Sequence, residues 1–148
     1  MSSSLARFAI RRGKEREAGF RTYLDRLREM EDALVILFGS RARGDNTPLS
    51  DYDLLVISDE RPPEAPCYVQ LFWYRWEDVE NEVRLFNTIL VDAIIEGKVL
   101  RDGKGTYELL RRKIEAEIES RGLVRTELGW VIEIFSWRRS TARSRGPQ

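Results

Sequence analysis

Two aspartates separated by one residue are the side chains in this sequence best suited to chemistry. Asp51 and Asp53 open a short apolar run, Leu54 to Ile57, that is typical of a buried β-strand. Because side chains alternate along a strand, both carboxylates are expected on one face and Tyr52 on the other. Two such carboxylates repel each other, and each raises the pKa of the other unless a cation lies between them. Mg²⁺ binds carboxylate and phosphate oxygens together, so the pair predicts a metal site.

A glycine–serine pair precedes the aspartates, with ten residues between them. Gly39 and Ser40 follow the apolar run Ala33 to Phe38, which is predicted to be another strand. Glycine lets the backbone approach a ligand closely, and Ser40 is expected to cap a helix that begins near Arg41. A helix N-terminus directly after a strand binds anions. Together, the turn and the carboxylate pair predict a site for a metal-bound nucleotide.

The pattern Gly39-Ser40, ten residues, Asp51-x-Asp53, with Ala42-Arg43-Gly44 in between, resembles the DNA polymerase beta-like nucleotidyltransferase superfamily. The resemblance is strongest to its single-domain members, the minimal nucleotidyltransferases of bacteria and archaea, and covers about a sixth of the chain. It implies transfer of a nucleoside monophosphate from a triphosphate such as ATP to an acceptor hydroxyl, with release of pyrophosphate. Two Mg²⁺ ions would clamp the attacking and leaving oxygens. A surface turn before an edge strand with two solvated aspartates is the alternative, and it explains neither the Gly-Ser pair nor the Asp spacing.

The resemblance also assigns roles to individual residues. Metal binding and catalysis fall to Asp51 and Asp53. The nucleotide's phosphates are assigned to the turn after the first strand, at Gly39, Ser40, Arg41 and Arg43. Arg41 or Arg43 would neutralise charge on the leaving pyrophosphate. For Arg43, pairing with an aspartate or the backbone to shape the loop is an equal alternative.

Active members of this superfamily generally bring a third acidic residue from the next strand. Here that strand, Tyr68 to Tyr74, carries no acid, and Gln70 falls at the third position. An amide is a neutral, poorer Mg²⁺ ligand and cannot act as a base. Glu64, Glu77 and Asp78 flank the strand, although the last two more simply begin a helix. A degenerate nucleotide-binding protein is therefore an alternative to an active enzyme.

Composition narrows the classes of function. The chain has 148 residues, zero net charge, no histidine and one cysteine, Cys67. The absence of histidine excludes Ser-His and Cys-His catalysis, and a single cysteine excludes an internal disulfide. Zero net charge provides no global field for nucleic acid, which is expected only as an acceptor. No stretch resembles a signal peptide or a membrane span, so a cytoplasmic protein is expected.

Hydrophobic periodicity predicts the elements that position the site. We expect an α/β (α+β) two-layer fold, with helices packed on a mixed sheet of about four strands. The predicted domain covers 1–137, and the basic segment 138–148 is predicted to be disordered. Gly13 is expected to interrupt the N-terminal region before the first long helix. The predicted helices are 14–31, 77–96 and 105–121, and the strands are 33–38, 51–57, 68–76 and 99–101.

The segment from Leu128 to Trp137 is strongly apolar, and its period fits a strand as well as a helix. The simpler interpretation is that it packs on its own domain. The alternative is a contact surface for a partner or for a homodimer. Minimal nucleotidyltransferases often pair with a helical HEPN-type toxin, so the resemblance makes an antitoxin-like role the second functional hypothesis.

Overall fold

The computed structural model describes residues 3–133, so the predicted tail and the second half of the 128–137 segment lie outside the described residues. None of the described helices is long and apolar enough to span a membrane. The elements are α1 (Ser3–Leu27), β1 (Leu34–Phe38), α2 (Ser40–Arg43), β2 (Tyr52–Ile57), β3 (Val69–Tyr74), α3 (Trp76–Arg84), α4 (Thr88–Glu96), β4 (Lys98–Asp102), α5 (Tyr107–Arg121), β5 (Leu123–Thr126) and β6 (Gly129–Ile132).

The central sheet has four strands in the order β3-β2-β1-β4. β1 is antiparallel to β2 and β4, whereas β2 and β3 are parallel. The α+β fold with a mixed four-stranded sheet is therefore confirmed. Residues that pair across β2 and β3 project from the same face of the sheet, as in any ladder. This pairing places the starts of both strands at one edge of the fold.

Helices cover both faces of this sheet, which gives three layers instead of the two that were expected. Alternate residues of β1 and β2 divide between two cores. One core packs α1 through Phe20, Tyr23 and Leu27. The other packs the three helices α3, α4 and α5. Both faces of β2 are covered over most of its length, which explains why Leu54–Ile57 is continuously apolar.

The first helix does not break at Gly13, as had been expected, but continues through it. Gly13 is a point of close approach to the loop between α2 and β2. A Cβ added at Gly13 would lie 2.8 Å from both the Cβ and the carbonyl oxygen of Pro48. The glycine therefore allows α1 to pack against this loop. The predicted interruption at Gly13 was wrong because tertiary contacts outweigh the low helix propensity of glycine.

The predicted helix over 77–96 is two helices separated by a sharp turn. Phe86 takes a positive φ of 53° in this turn, and the Asn87 side chain caps α4 by accepting from the amides of Ile89 and Leu90. No glycine or proline lies at the break, so the continuous apolar stripe of 77–96 predicted a single helix. The helix predicted to end at Gly122 does end there, because Gly122 adopts the left-handed conformation.

The described part of the 128–137 segment forms a strand in a separate hairpin with β5. Trp130 packs edge-on against Phe86, and its indole nitrogen donates to Asp92 Oδ1 at 2.8 Å. Trp130 thus packs on its own domain. A homodimer or a HEPN-type partner at this segment stays a prediction.

Candidate active site

The turn after β1 is built on an unusual glycine. Gly39 has φ 73° and ψ −155°, a conformation that is essentially restricted to glycine. It occupies the N-cap of α2, so Ser40 is the first helical residue and not the cap, and no side chain caps this short helix. The amides of Ala42 and Arg43 both donate to the Gly39 carbonyl at 3.1 Å. The amides of Ser40 and Arg41 have no acceptor within so short a helix and can donate to a ligand.

Asp53 lies directly against this turn. Phe38, the last residue of β1, pairs with Asp53 in the antiparallel ladder, so the next residue, Gly39, reaches the Asp53 side chain. A Cβ added at Gly39 would overlap Asp53 Oδ2 and lie 3.1 Å from its Cγ. Gly39 is therefore required twice, for its backbone conformation and for the space that the carboxylate occupies.

The two aspartates are electrostatically coupled at the start of β2. Tyr52 is buried in the α1-facing core, and Asp53 projects from the opposite face, half-buried. Burial raises the pKa of Asp53, the charge of Asp51 raises it further, and Arg43 partly lowers it. Asp51 lies just before the strand and is exposed. The ionised form of the Asp53 carboxylate is thus destabilised, and a bound cation would offset that destabilisation.

The position of the predicted third ligand is occupied by Gln70. Gln70 pairs with Asp53 in the parallel ladder, so both side chains project from the same face. Glu77 and Asp78 lie in the first turn of α3, beyond Tyr74 at the far end of β3, which is about 13 Å from Gln70. These two acids begin a helix and do not reach the site.

The third flanking acid, Glu64, lies in the loop between β2 and β3. The carbonyl of the preceding residue, Pro63, accepts a hydrogen bond of 2.7 Å from the Tyr23 hydroxyl on α1. This bond attaches the loop to the face of the sheet opposite Asp53. Glu64 is exposed in this loop.

The two candidate arginines have different surroundings. Arg43 pairs with Asp45 through Nε and Oδ2 at 3.2 Å, with both side chains at least half exposed, and its charge acts on Asp53. Arg41 donates to the carbonyl oxygens of Ser50 at 2.9 Å and Pro48 at 3.3 Å. Its guanidinium carbon also lies 4.2 Å from the centre of the Tyr52 ring. Arg41 is therefore engaged with the loop, a contact for which the sequence carries no signal.

The residues present fit a divalent cation bound together with a nucleotide. Asp51 and Asp53 can supply hard carboxylate oxygens, and Gln70 can supply a neutral amide oxygen. Within residues 3–133 no group of three or more acidic, cysteine or histidine side chains is placed to hold a metal. A triphosphate would have to complete the coordination, as Mg²⁺ in nucleotide sites generally requires.

Comparison with known proteins agrees with this geometry. The family model of the nucleotidyltransferase domain matches residues 20–126, which is well over half of the chain and includes the turn, both aspartates and β3. Neither a curated protein nor a solved structure gives a significant match. The chain belongs to the nucleotidyltransferase domain family.

Proposed function

We propose that this protein transfers a nucleoside monophosphate from a magnesium-bound triphosphate such as ATP to an acceptor hydroxyl, releasing pyrophosphate. The observation that carries the proposal is the Asp53 carboxylate seated on the Gly39 backbone, with the Asp51 charge beside it. A carboxylate pair at a glycine turn with free amides binds a metal and phosphates in one place. Family membership supports the same class of reaction.

The roles of the residues follow from their positions. Asp51 and Asp53 would hold the metal, which supplies neutralisation of the triphosphate and activation of the acceptor oxygen. The Ser40 hydroxyl and the amides of Ser40 and Arg41 would orient the β- and γ-phosphates. Arg43 is exposed and weakly paired, so it is free to reorient toward the leaving pyrophosphate.

Nucleotide binding without transfer is the second candidate, and Gln70 favours it. Its amide lies in register with Asp53, where a carboxylate base would be needed. A neutral amide cannot accept the acceptor's proton. Binding then depends on the two aspartates and the turn, whereas transfer depends on a base from elsewhere, such as the acceptor's own surroundings.

Calorimetry with Mg²⁺ and a non-hydrolysable ATP analogue tests the binding site. Asp51→Asn and Asp53→Asn are each expected to weaken binding at least tenfold, because each removes a charged metal ligand. Asp59→Asn serves as the control, since Asp59 is an exposed acid beyond the other end of β2. Equal affinity in the wild type and both site variants would contradict the proposal.

Transfer from radiolabelled ATP to candidate protein, RNA and small-molecule acceptors separates the two candidates. If Gln70 stands where the base belongs, Gln70→Asp is expected to raise Mg²⁺-dependent transfer. Robust wild-type transfer that Gln70→Asp lowers would show that another group acts as the base. Binding without transfer in the wild type, together with transfer by Gln70→Asp, would establish the degenerate form.

A further inference from the structure

The loop between α2 and β2, residues 45–51, carries Asp51. Its backbone makes contacts that play no part in the residue roles proposed above. We refer to this loop as the connector. Arg41 bridges two of its carbonyl oxygens, those of Pro48 and Ser50. The Arg41 side chain is half-buried, and its Nε is fully buried without an acceptor among the described residues. The guanidinium is thus engaged with the backbone of the connector, at 2.9 Å from the Ser50 oxygen and 3.3 Å from the Pro48 oxygen.

Tyr52 forms the surface on which Arg41 rests. The Tyr52 ring is 5% exposed and stacks on Phe20 of α1, with ring centres 4.1 Å apart. Arg41 lies over the same ring at 4.2 Å. Because a planar guanidinium can stack and bridge two carbonyls at once, lysine cannot reproduce this arrangement. Tyr52 lies between the two aspartates, so Arg41 contacts both the connector and the first residue of β2, which follows it.

Helix α1 contacts the same connector. Gly13 approaches Pro48 so closely that a Cβ would meet both its Cβ and its carbonyl oxygen at 2.8 Å. Arg16 donates to the carbonyl of Leu49 at 2.8 Å. Both residues precede the stretch matched by the family model, which begins at residue 20. The contact therefore lies outside the matched stretch.

We propose that Arg41 is a positioning residue that, together with Gly13 and Arg16 of α1, clamps the connector and so holds Asp51 beside Asp53. The inference rests on the proposed function for its consequence, since Asp51 is a candidate metal ligand. Its structural part stands independently. A positioning role predicts that Arg41 acts on the metal site, whereas a phosphate-binding role predicts that it acts on the nucleotide alone.

Hydrogen exchange tests the clamp itself. Amides in residues 45–51 are expected to exchange at least tenfold faster in Arg41→Lys and Arg41→Met, because neither side chain can bridge the two carbonyls and stack. Gly13→Ala is expected to act in the same direction by displacing Pro48. Arg12→Lys is the control, since within residues 3–133 the Arg12 side chain pairs with Glu15 on the exposed surface of α1. Unchanged exchange in both Arg41 variants would overturn the proposal.

Titration with Mn²⁺ alone, followed by electron paramagnetic resonance, tests the consequence. Arg41→Lys is expected to weaken Mn²⁺ binding about tenfold although the positive charge is kept. If Arg41 binds phosphate, Mn²⁺ affinity stays the same and only the KM for the nucleotide rises, which overturns the positioning role. If the wild type binds neither Mn²⁺ alone nor the Mg²⁺-bound ATP analogue, the proposed function fails, and the exchange measurement still decides whether Arg41 and α1 clamp the connector.

Discussion

Replacing Gly39 with alanine probes the contact on which the candidate site depends. The backbone conformation of Gly39, φ 73° and ψ −155°, costs a non-glycine residue about 1–3 kcal/mol. The new methyl group would also overlap Asp53 Oδ2, so the carboxylate has to move by about 1 Å, a displacement that can reduce catalysis about 100-fold. A loss of about 2 kcal/mol lowers the Tm of a domain of this size by about 4–8 °C.

The chain offers a matched control in Gly44. It also has a positive φ, 83°, but a Cβ there would meet nothing within 4 Å. Gly44→Ala is therefore expected to lose about 1–2 kcal/mol from backbone strain and to leave Asp53 in place. The two variants separate strain from displacement of the carboxylate.

Urea denaturation and Mn²⁺ titration supply the two measurements. Gly39→Ala is expected to lose more free energy of unfolding than Gly44→Ala and at least tenfold in Mn²⁺ affinity, whereas Gly44→Ala keeps wild-type affinity. Equal stability and equal metal binding in the two variants would refute the reasoning, because Asp53 would then not rest on Gly39.

Three further outcomes follow from the structure. Because the fold raises the pKa of Asp53 above 3.8, the ionised carboxylate destabilises the folded state as pH rises through the folded pKa. Asp53→Asn is therefore expected to raise the Tm in metal-free buffer at pH 7. Differential scanning calorimetry should show that this gain in Tm vanishes toward pH 3. Asn87→Ala removes the cap of α4 and is expected to lower the free energy of unfolding by about 1 kcal/mol in urea denaturation. Trp130→Phe removes the hydrogen bond to Asp92 and is expected to speed amide exchange in the β5–β6 hairpin, with protection elsewhere unchanged.

The sequence was sufficient for the features that depend on local pattern. The apolar runs of β1 and β2, the glycine–serine turn and the alternation that opposes Tyr52 to Asp53 are all local, and each was predicted. The position of Gln70 followed from the resemblance to the superfamily, whose third acidic residue comes from the next strand, and the pairing of Gln70 with Asp53 agrees with it. The family, and the mixed sheet with it, could be predicted because its motif is short and contiguous.

Only the tertiary structure decided which face and which neighbour each residue has. The third layer, the continuity of α1 through Gly13 and the break at Phe86 depend on packing between distant segments, which outweighs helix propensity. Arg41 is the clearest case, because no pattern in the sequence indicates the two carbonyl oxygens and the aromatic ring that its guanidinium contacts. Spacing along the chain identifies residue types that can share a site, but distances between side chains arise only when separate elements pack together.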